Sequence, residues 1–144
     1  MSKTVIITGA NSGIGFETVK ELASQGWLVK MICRNPEKAK TAVLKIKTIT
    51  NHHPEIYIAD LTLMKDVKSV AHQILKTTPK IDCVINNAGS LTQGRKLSDE
   101  GWEYSMAINF LAPYFLTRLL LPHLLKSENG KVINVASCLC GYAE

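Results

Sequence analysis

The sequence predicts an α/β fold: a doubly wound parallel sheet of about five strands with helices on both faces. Three observations predict it. The chain opens on a short β-branched run, Val5-Ile6-Ile7, followed at once by a glycine-rich turn and then by helical spacing. Strand-like and helix-like segments alternate through the rest of the 144 residues. The unusual polar residues (Asn11, Ser12, Arg34, Asp60, Asn86, Asn87, Ser137) all fall where a predicted strand ends. Such alternation implies right-handed crossovers and a parallel sheet covered on both faces. Ligands of these sheets lie beyond the carboxyl ends of the strands.

Each element has its own signal. After Val5-Ile6-Ile7, the glycines Gly9, Gly13 and Gly15 are spaced G-x-x-x-G-x-G, and a helix begins at Ile14 with Phe16, Val19, Leu22 and Ala23 on one face. Glycine lets a backbone turn sharply and approach a ligand, and a helix N-terminus favours negative charge. The spacing is neither the G-x-G-x-x-G fingerprint nor the phosphate loop of nucleoside triphosphatases. Gly26 stops the helix, and Trp27 to Cys33 reads as the second strand. Asn35-Pro36-Glu37 is a helix start, with Asn as cap, Pro at the first position and an acid in the first turn. That helix is expected to reach Ile49, with Ala39, Val43, Leu44 and Ile46 inward. Ile56 to Asp60 reads as strand three, Leu63 to Lys76 as a helix and Ile81 to Ile85 as strand four. Ser98 is placed to cap a long apolar helix ending near Lys126, which Pro113 and Pro122 should kink or segment. Lys131 to Ala136 reads as strand five, ending at Ser137.

Composition bounds the rest. The length suits a single domain over residues 1–144, and 46% hydrophobic with 20% charged residues is ordinary for a globular chain. The net charge of +5 suits an anionic ligand. The lysines are scattered and few aromatics lie between them, so solvated helix faces are expected and no nucleic-acid partner. Cys33 and Cys83 fall within strand-like runs as small buried hydrophobes. Cys138 and Cys140 have no histidine near them, and no metal site is expected. Thiols of this kind suit a reducing, cytoplasmic setting. No signal peptide or anchor is read before the first strand. The apolar stretch from Ile108 to Leu125 carries Asn109, Pro113, Arg118, Pro122 and His123, so it reads as a buried helix and no membrane span is expected.

The strand ends add chemistry. A dinucleotide with a free adenosine ribose usually meets an acid at the end of the second strand. Here the strand ends Ile32-Cys33-Arg34-Asn35. Glu37 is explained by helix capping. Arg34 offers a planar cation suited to a 2′-phosphate, which favours NADP(H) over NAD(H); the bland alternative is a surface arginine. Asp60 either caps the next helix or accepts from an adenine amino group. Asn86 to Gly89 reads either as a turn or as backbone lying against a cofactor.

Five motifs in this order resemble the short-chain dehydrogenases/reductases: Thr8-Gly-Ala-Asn-Ser-Gly-Ile-Gly15, Ala59-Asp-Leu61, Asn86-Asn-Ala-Gly89, Asn109 within Met106-Ala-Ile-Asn-Phe110, and Val132-Ile-Asn-Val-Ala-Ser137. Arg34-Asn35 and the Gly-Phe-Glu-Thr opening of the first helix are most similar to the retinol-dehydrogenase-like branch. The resemblance implies a Rossmann-type sheet of order 3-2-1-4-5 and hydride transfer between a nicotinamide and an alcohol or carbonyl. It implies that Gly9, Gly13 and Gly15 hold the pyrophosphate region, with Asn11, Ser12 and Ile14 also binding the cofactor. Arg34 would hold the 2′-phosphate and Asp60 the adenine, Asn87, Ala88 and Gly89 would line the ribose and nicotinamide side, and Asn35 and Leu61 would also bind the cofactor. Ser137 would hydrogen-bond the substrate oxygen, and Asn109 would organise a helix kink and a proton-relay water. The family's Tyr-x-x-x-Lys pair, expected after Ser137, is absent from these 144 residues. The chain therefore reads as truncated before its proton donor. Two functions stay open: the cofactor-binding portion of an oxidoreductase, or a non-catalytic NADP(H)-binding or interaction protein. A fifth strand left as an edge predicts self-association.

Overall fold

In the computed structural model, which describes residues 2–137, the β-branched run forms strand β1 (Thr4–Thr8), buried along its whole length. Helix α1 spans Gly13–Ser24, β2 Leu28–Cys33, α2 Pro36–Thr50, β3 Glu55–Ile58, α3 Met64–Thr77 and β4 Cys83–Asn86. A single helical turn α4 (Tyr104–Met106) continues through a π-helical turn, Ala107–Leu111, into α5 (Ala112–Leu124), and β5 is Lys131–Asn134. All neighbouring strands are parallel, in the order β3-β2-β1-β4-β5. The predicted sheet is the observed one.

Strand alternation divides the core. Val5 and Ile7 of β1 pack with α1 and α2 on one face, where Val19, Ala39 and Ile46 are fully buried. Ile6 points the other way, onto Val67, Ile74, Leu116 and Leu120 of α3 and α5. Burial of a side chain of this size contributes roughly 1.5–3 kcal/mol, so the two layers hold the sheet from both sides over β1, β2 and β4.

Several expectations are corrected. Leu44 is 64% exposed, and the inward stripe of α2 is Ala39, Ala42, Val43 and Ile46. Those four follow the i, i+3, i+4, i+7 rule, which Leu44 does not. Ser98 does not cap the long helix. It sits in a turn, where its Oγ accepts from the Trp102 N–H at 3.3 Å, and Glu103 caps α4 by accepting from the Ser105 and Met106 N–H groups at 3.1 and 2.6 Å. Strand three ends at Ile58 and strand five at Asn134, short of Asp60 and Ala136. The apolar stretch from Ile108 to Leu125 buries only one stripe, Ala112, Leu116, Leu120 and Leu124, and leaves Phe110 and Tyr114 exposed. Nor is the sheet covered everywhere: all four residues of β5 are exposed. Pro113 falls in the first turn of α5, directly after the π-helical turn, and segments the helix as its missing N–H requires. Pro122 lies inside α5 without ending it. Cys33 and Cys83 are buried as expected, whereas Cys138, Cys140 and Tyr142 lie outside the described residues.

Two buried charges tie the sheet together. Lys30 in β2 is 4% exposed; its Nζ donates to Glu55 Oε2 at 2.5 Å and to Tyr57 Oη at 3.2 Å, and Glu55 is its register partner on β3. Burial raises the Glu55 carboxyl, but the bonds from Lys30 and Tyr57 outweigh it and hold the group below its ordinary value. Asp82, just before β4, is 7% exposed and accepts from the Thr4 N–H at 2.8 Å, the Ser127 hydroxyl at 2.7 Å and Lys80 Nζ at 3.0 Å. Its own N–H donates to Thr4 O and its carbonyl accepts from the Lys131 N–H. One residue thus joins the starts of β1 and β5 to the turn after α5.

Candidate functional site

The glycine turn lies at the carboxyl end of β1, between β2 and β4, where the strand order reverses. Gly9 adopts φ +62°, and a Cβ there would lie 2.9 Å from Ala88 Cα. Gly15 packs against the same turn: a Cβ on it would stand 2.3 Å from Gly9 O and 2.5 Å from Asn87 Nδ2. Gly13, with φ +53°, begins α1. Only glycine meets these contacts and torsions without strain.

The first turn of α1 is open. Its cap residue Ser12 makes no side-chain capping bond, and no acid lies in the turn. The other helix starts differ. Asn35 Oδ1 accepts from the Lys38 N–H at the start of α2, Glu100 accepts from the Met64 and Lys65 N–H groups of α3, and Glu103 caps α4. Orphan N–H groups at a helix start bind anions. Among these helices, α1 alone leaves that place for a ligand's phosphates.

Thr8 clamps the neighbouring strand end. Its Oγ1 accepts from the Asn87 N–H at 3.0 Å and the Ala88 N–H at 2.9 Å, while Asn87 Nδ2 donates to Thr8 O and Gly9 O at 3.1 and 3.2 Å. Asn87 to Gly89 is therefore more than a turn: it is fixed against the glycine loop. Asn86 points away, its Nδ2 donating to Asn134 Oδ1 at 2.8 Å and to Thr117 Oγ1 at 3.2 Å.

A cleft of about 540 Å³ opens along these ends. Gly9, Asn11, Ser12 and Ile14 line one wall, Arg34 and Asn35 the β2 end, Asp60 and Leu61 the β3 side, and Asn87, Ala88 and Gly89 the β4 side. Gly13 and Gly15 shape the turn without lining the cleft. Asp60 is not the cap of α3, whose N-cap position is Leu63. Its Oδ1 accepts from the Thr62 N–H at 2.9 Å and the Thr62 hydroxyl at 2.7 Å, and its N–H donates to Asp66 Oδ2 at 3.1 Å.

Asn109 lies in the π-helical turn. Its Oδ1 accepts from the Ser90 N–H at 2.9 Å and its Nδ2 donates to Ser90 O at 2.8 Å. The side-chain amide is thus bound to the backbone that follows Gly89, at the end of the cleft. Ser137 follows β5 and is exposed, outside the cleft lining.

The cleft also takes in Lys38, Ser90, Tyr104 and Ile108, which sequence reasoning missed. Lys38 stands four residues after Arg34 in the first turn of α2, a spacing that carried the signal. Tyr104 and Ile108 share helical spacing, but nothing local says which way that face turns. Cys33 lines the cleft too, with its thiol pushed up to about 11 by burial, against a weaker pull from the Ala10 backbone. It stays protonated and is no nucleophile. Among the described residues no cluster of His, Cys, Asp or Glu is arranged to hold a metal, and no helix is long and apolar enough to cross a membrane.

A parallel sheet with an uncapped helix and a glycine turn at its reversal point defines a nucleotide-binding α/β protein of the Rossmann type. Residues 3–144 match the family described as short chain dehydrogenase, and the chain belongs to that family. Among its relatives, human retinol dehydrogenase 13 is 38% identical over 136 residues, covering 94% of this chain and 41% of the relative. Human retinol dehydrogenase 11 is 36% identical over the same length, 43% of its own. The chain thus spans about two-fifths of these relatives. A short chain dehydrogenase from Escherichia coli CFT073 complexed with NADPH superimposes with a TM-score of 0.86 at 31% identity, covering 99% of this chain and 61% of that one. The short-chain dehydrogenase from Sphingobium yanoikuyae in complex with NADPH gives 0.83 at 29%, covering 98% and 55%.

Proposed function

We propose that this chain is the NADP(H)-binding part of an oxidoreductase acting on an alcohol or carbonyl. The observation that carries the cofactor choice is Arg34, at the end of β2 and on the cleft wall, in the place where an acid would take a ribose 2′-hydroxyl. NADPH in the similar structures named above supports it. The glycine turn and the open end of α1 fit the pyrophosphate, Asp60 and Leu61 the adenine, and Asn87 to Gly89 the ribose and nicotinamide. The bound cofactor supplies or accepts the hydride. Ser137 donates to the substrate oxygen, where a donor aimed at developing negative charge lowers the barrier. Asn109 fixes Ser90 and, with it, the far wall of the cleft.

Calorimetric titration tests the reading. NADPH is expected to bind about tenfold more tightly than NADH, a difference in line with a charge-assisted Arg–phosphate contact, and Arg34→Ala to erase the difference. Equal binding of both cofactors by the unaltered protein would overturn it.

The free, buried thiols Cys33 and Cys83 support a reducing, cytoplasmic setting.

Self-association belongs to the same proposal. Val132 and Ile133 on β5, Phe110 and Tyr114 on the long helical segment and Leu125 just after it are all at least 40% exposed. Light scattering over a concentration series is expected to show species heavier than 15.9 kDa. A constant monomer mass rejects the idea.

A further inference from the structure

Arg34 is held before any ligand arrives. Its Nη1 donates to Tyr104 Oη at 2.8 Å, a bond between residues seventy positions apart, and both side chains line the cleft. We propose that Tyr104 is a positioning residue that fixes the Arg34 guanidinium for the 2′-phosphate. The proposal rests on the NADP(H) reading above and assigns the specificity of that site to a pair rather than to one arginine.

The strap that carries Tyr104 is built to hold it there. The Tyr104 N–H donates to Lys96 O at 2.8 Å, Leu97 and Glu103 form an antiparallel bridge, and the Ser98 N–H donates to Trp102 O at 2.7 Å. Gly101, at φ +84°, makes the turn, its N–H donating to Ser98 O at 2.8 Å. The tip is tied to the body of the protein by Glu100, whose Oε2 and Oε1 accept from the Met64 and Lys65 N–H groups at 2.6 and 3.1 Å. The base is tied by Glu103 at the start of α4. Lys96 Nζ stacks on the Tyr104 ring, 4.4 Å from its centroid. The ring is therefore anchored on its backbone, its face and its hydroxyl.

The choice of a phenol matters chemically. A carboxylate beside Arg34 would orient it but would neutralise it and repel a phosphate. The phenol accepts one of the five guanidinium N–H bonds and adds no charge. The other four stay available for bidentate contact with phosphate oxygens. The phenolic proton is a further donor. Lys38 on the cleft wall and Lys96 on the ring add positive charge, and Asp60 is the acid on the same cleft, with one oxygen engaged by Thr62. A free surface arginine gives up its rotamer freedom on binding; one already held by an uncharged acceptor loses less.

The test uses 2′,5′-ADP and 5′-ADP, which differ only in the 2′-phosphate, titrated calorimetrically into the unaltered protein and into Tyr104→Phe, Arg34→Ala and the double variant. The preference for 2′,5′-ADP is expected to fall by about tenfold or more in Tyr104→Phe, the effect of one hydrogen bond to a charged group, with 5′-ADP affinity unchanged. In the Arg34→Ala background, Tyr104→Phe is expected to change nothing further. An unchanged preference in Tyr104→Phe, or an equal loss for both probes, overturns the role of Tyr104 while the NADP(H) reading stands. If the unaltered protein shows no preference, both fall together.

Discussion

Gly15→Ala is expected to lower stability by about 3 kcal/mol, at the upper end of what overpacking costs, and to weaken nucleotide binding by roughly tenfold or more. The added methyl would lie 2.3 Å from Gly9 O and 2.5 Å from Asn87 Nδ2. Neither neighbour can yield cheaply. Gly9 is backbone pressed against Ala88, and the Asn87 amide bonds Thr8 and Gly9. Moving either breaks the clamp that sets β1 against β4, which is the floor of the cleft. Gly13→Ala is the control. No atom comes within 4 Å of its Cβ, and the cost is the strain of φ +53° alone, about 1–2 kcal/mol. Urea unfolding and NADPH titration on both variants check this. Equal effects at the two positions would mean that the close approach of Gly15 is unimportant.

Asp82→Asn is expected to cost about 2 kcal/mol at pH 7, in the range for leaving a buried hydrogen-bonding group without its partner. Burial by itself raises the Asp82 carboxyl. The Ser127 hydroxyl, the Thr4 N–H and Lys80 together outweigh it and hold the group below its ordinary value. A carboxyl with a lowered folded-state pKa stabilises fully above its unfolded value, about 3.9, and loses that contribution as pH falls through the lower folded value. The stability gap between the unaltered protein and Asp82→Asn should therefore be constant from pH 7 to about 5 and close in more acid solution. Glu55 and Glu103 are also held below their ordinary values. They are present in both proteins and cancel in the difference. A gap that persists unchanged into strong acid would show that the Asp82 charge is not what joins the strands.

What was legible in the sequence is what short spacings determine. Strand β1, the glycine turn and α1 follow one another within two dozen residues, and Asn35 caps α2 from the adjoining position, as its bond to the Lys38 N–H shows. The sheet order followed from the motif series. What was not legible depends on contacts between distant segments. Ser98 carries the residue type of a helix cap, yet Glu103 takes the role, because the chain from Lys96 to Tyr104 closes on itself before α4 begins. Glu100 reads as a surface acid until α3 is seen to lie under it. Leu44 reads as inward by residue type, yet its position lies off the stripe that Ala39, Val43 and Ile46 define. Tyr104 belongs to no motif, and its partner is seventy residues earlier.

The uncapped start of α1 has a consequence for the lifetime of the protein. Side-chain acceptors of the protein itself meet the starts of α2, α3 and α4, whereas the start of α1 has no capping side chain. A ligand that binds only the folded state, at one hundred times its dissociation constant, adds about 2.7 kcal/mol to the cost of unfolding. Opening of the glycine turn, and the proteolysis that follows opening, then depends on how much nucleotide surrounds the chain. Limited proteolysis is therefore expected to slow as NADPH is added, and an unchanged cleavage rate would show that the open helix start holds no nucleotide.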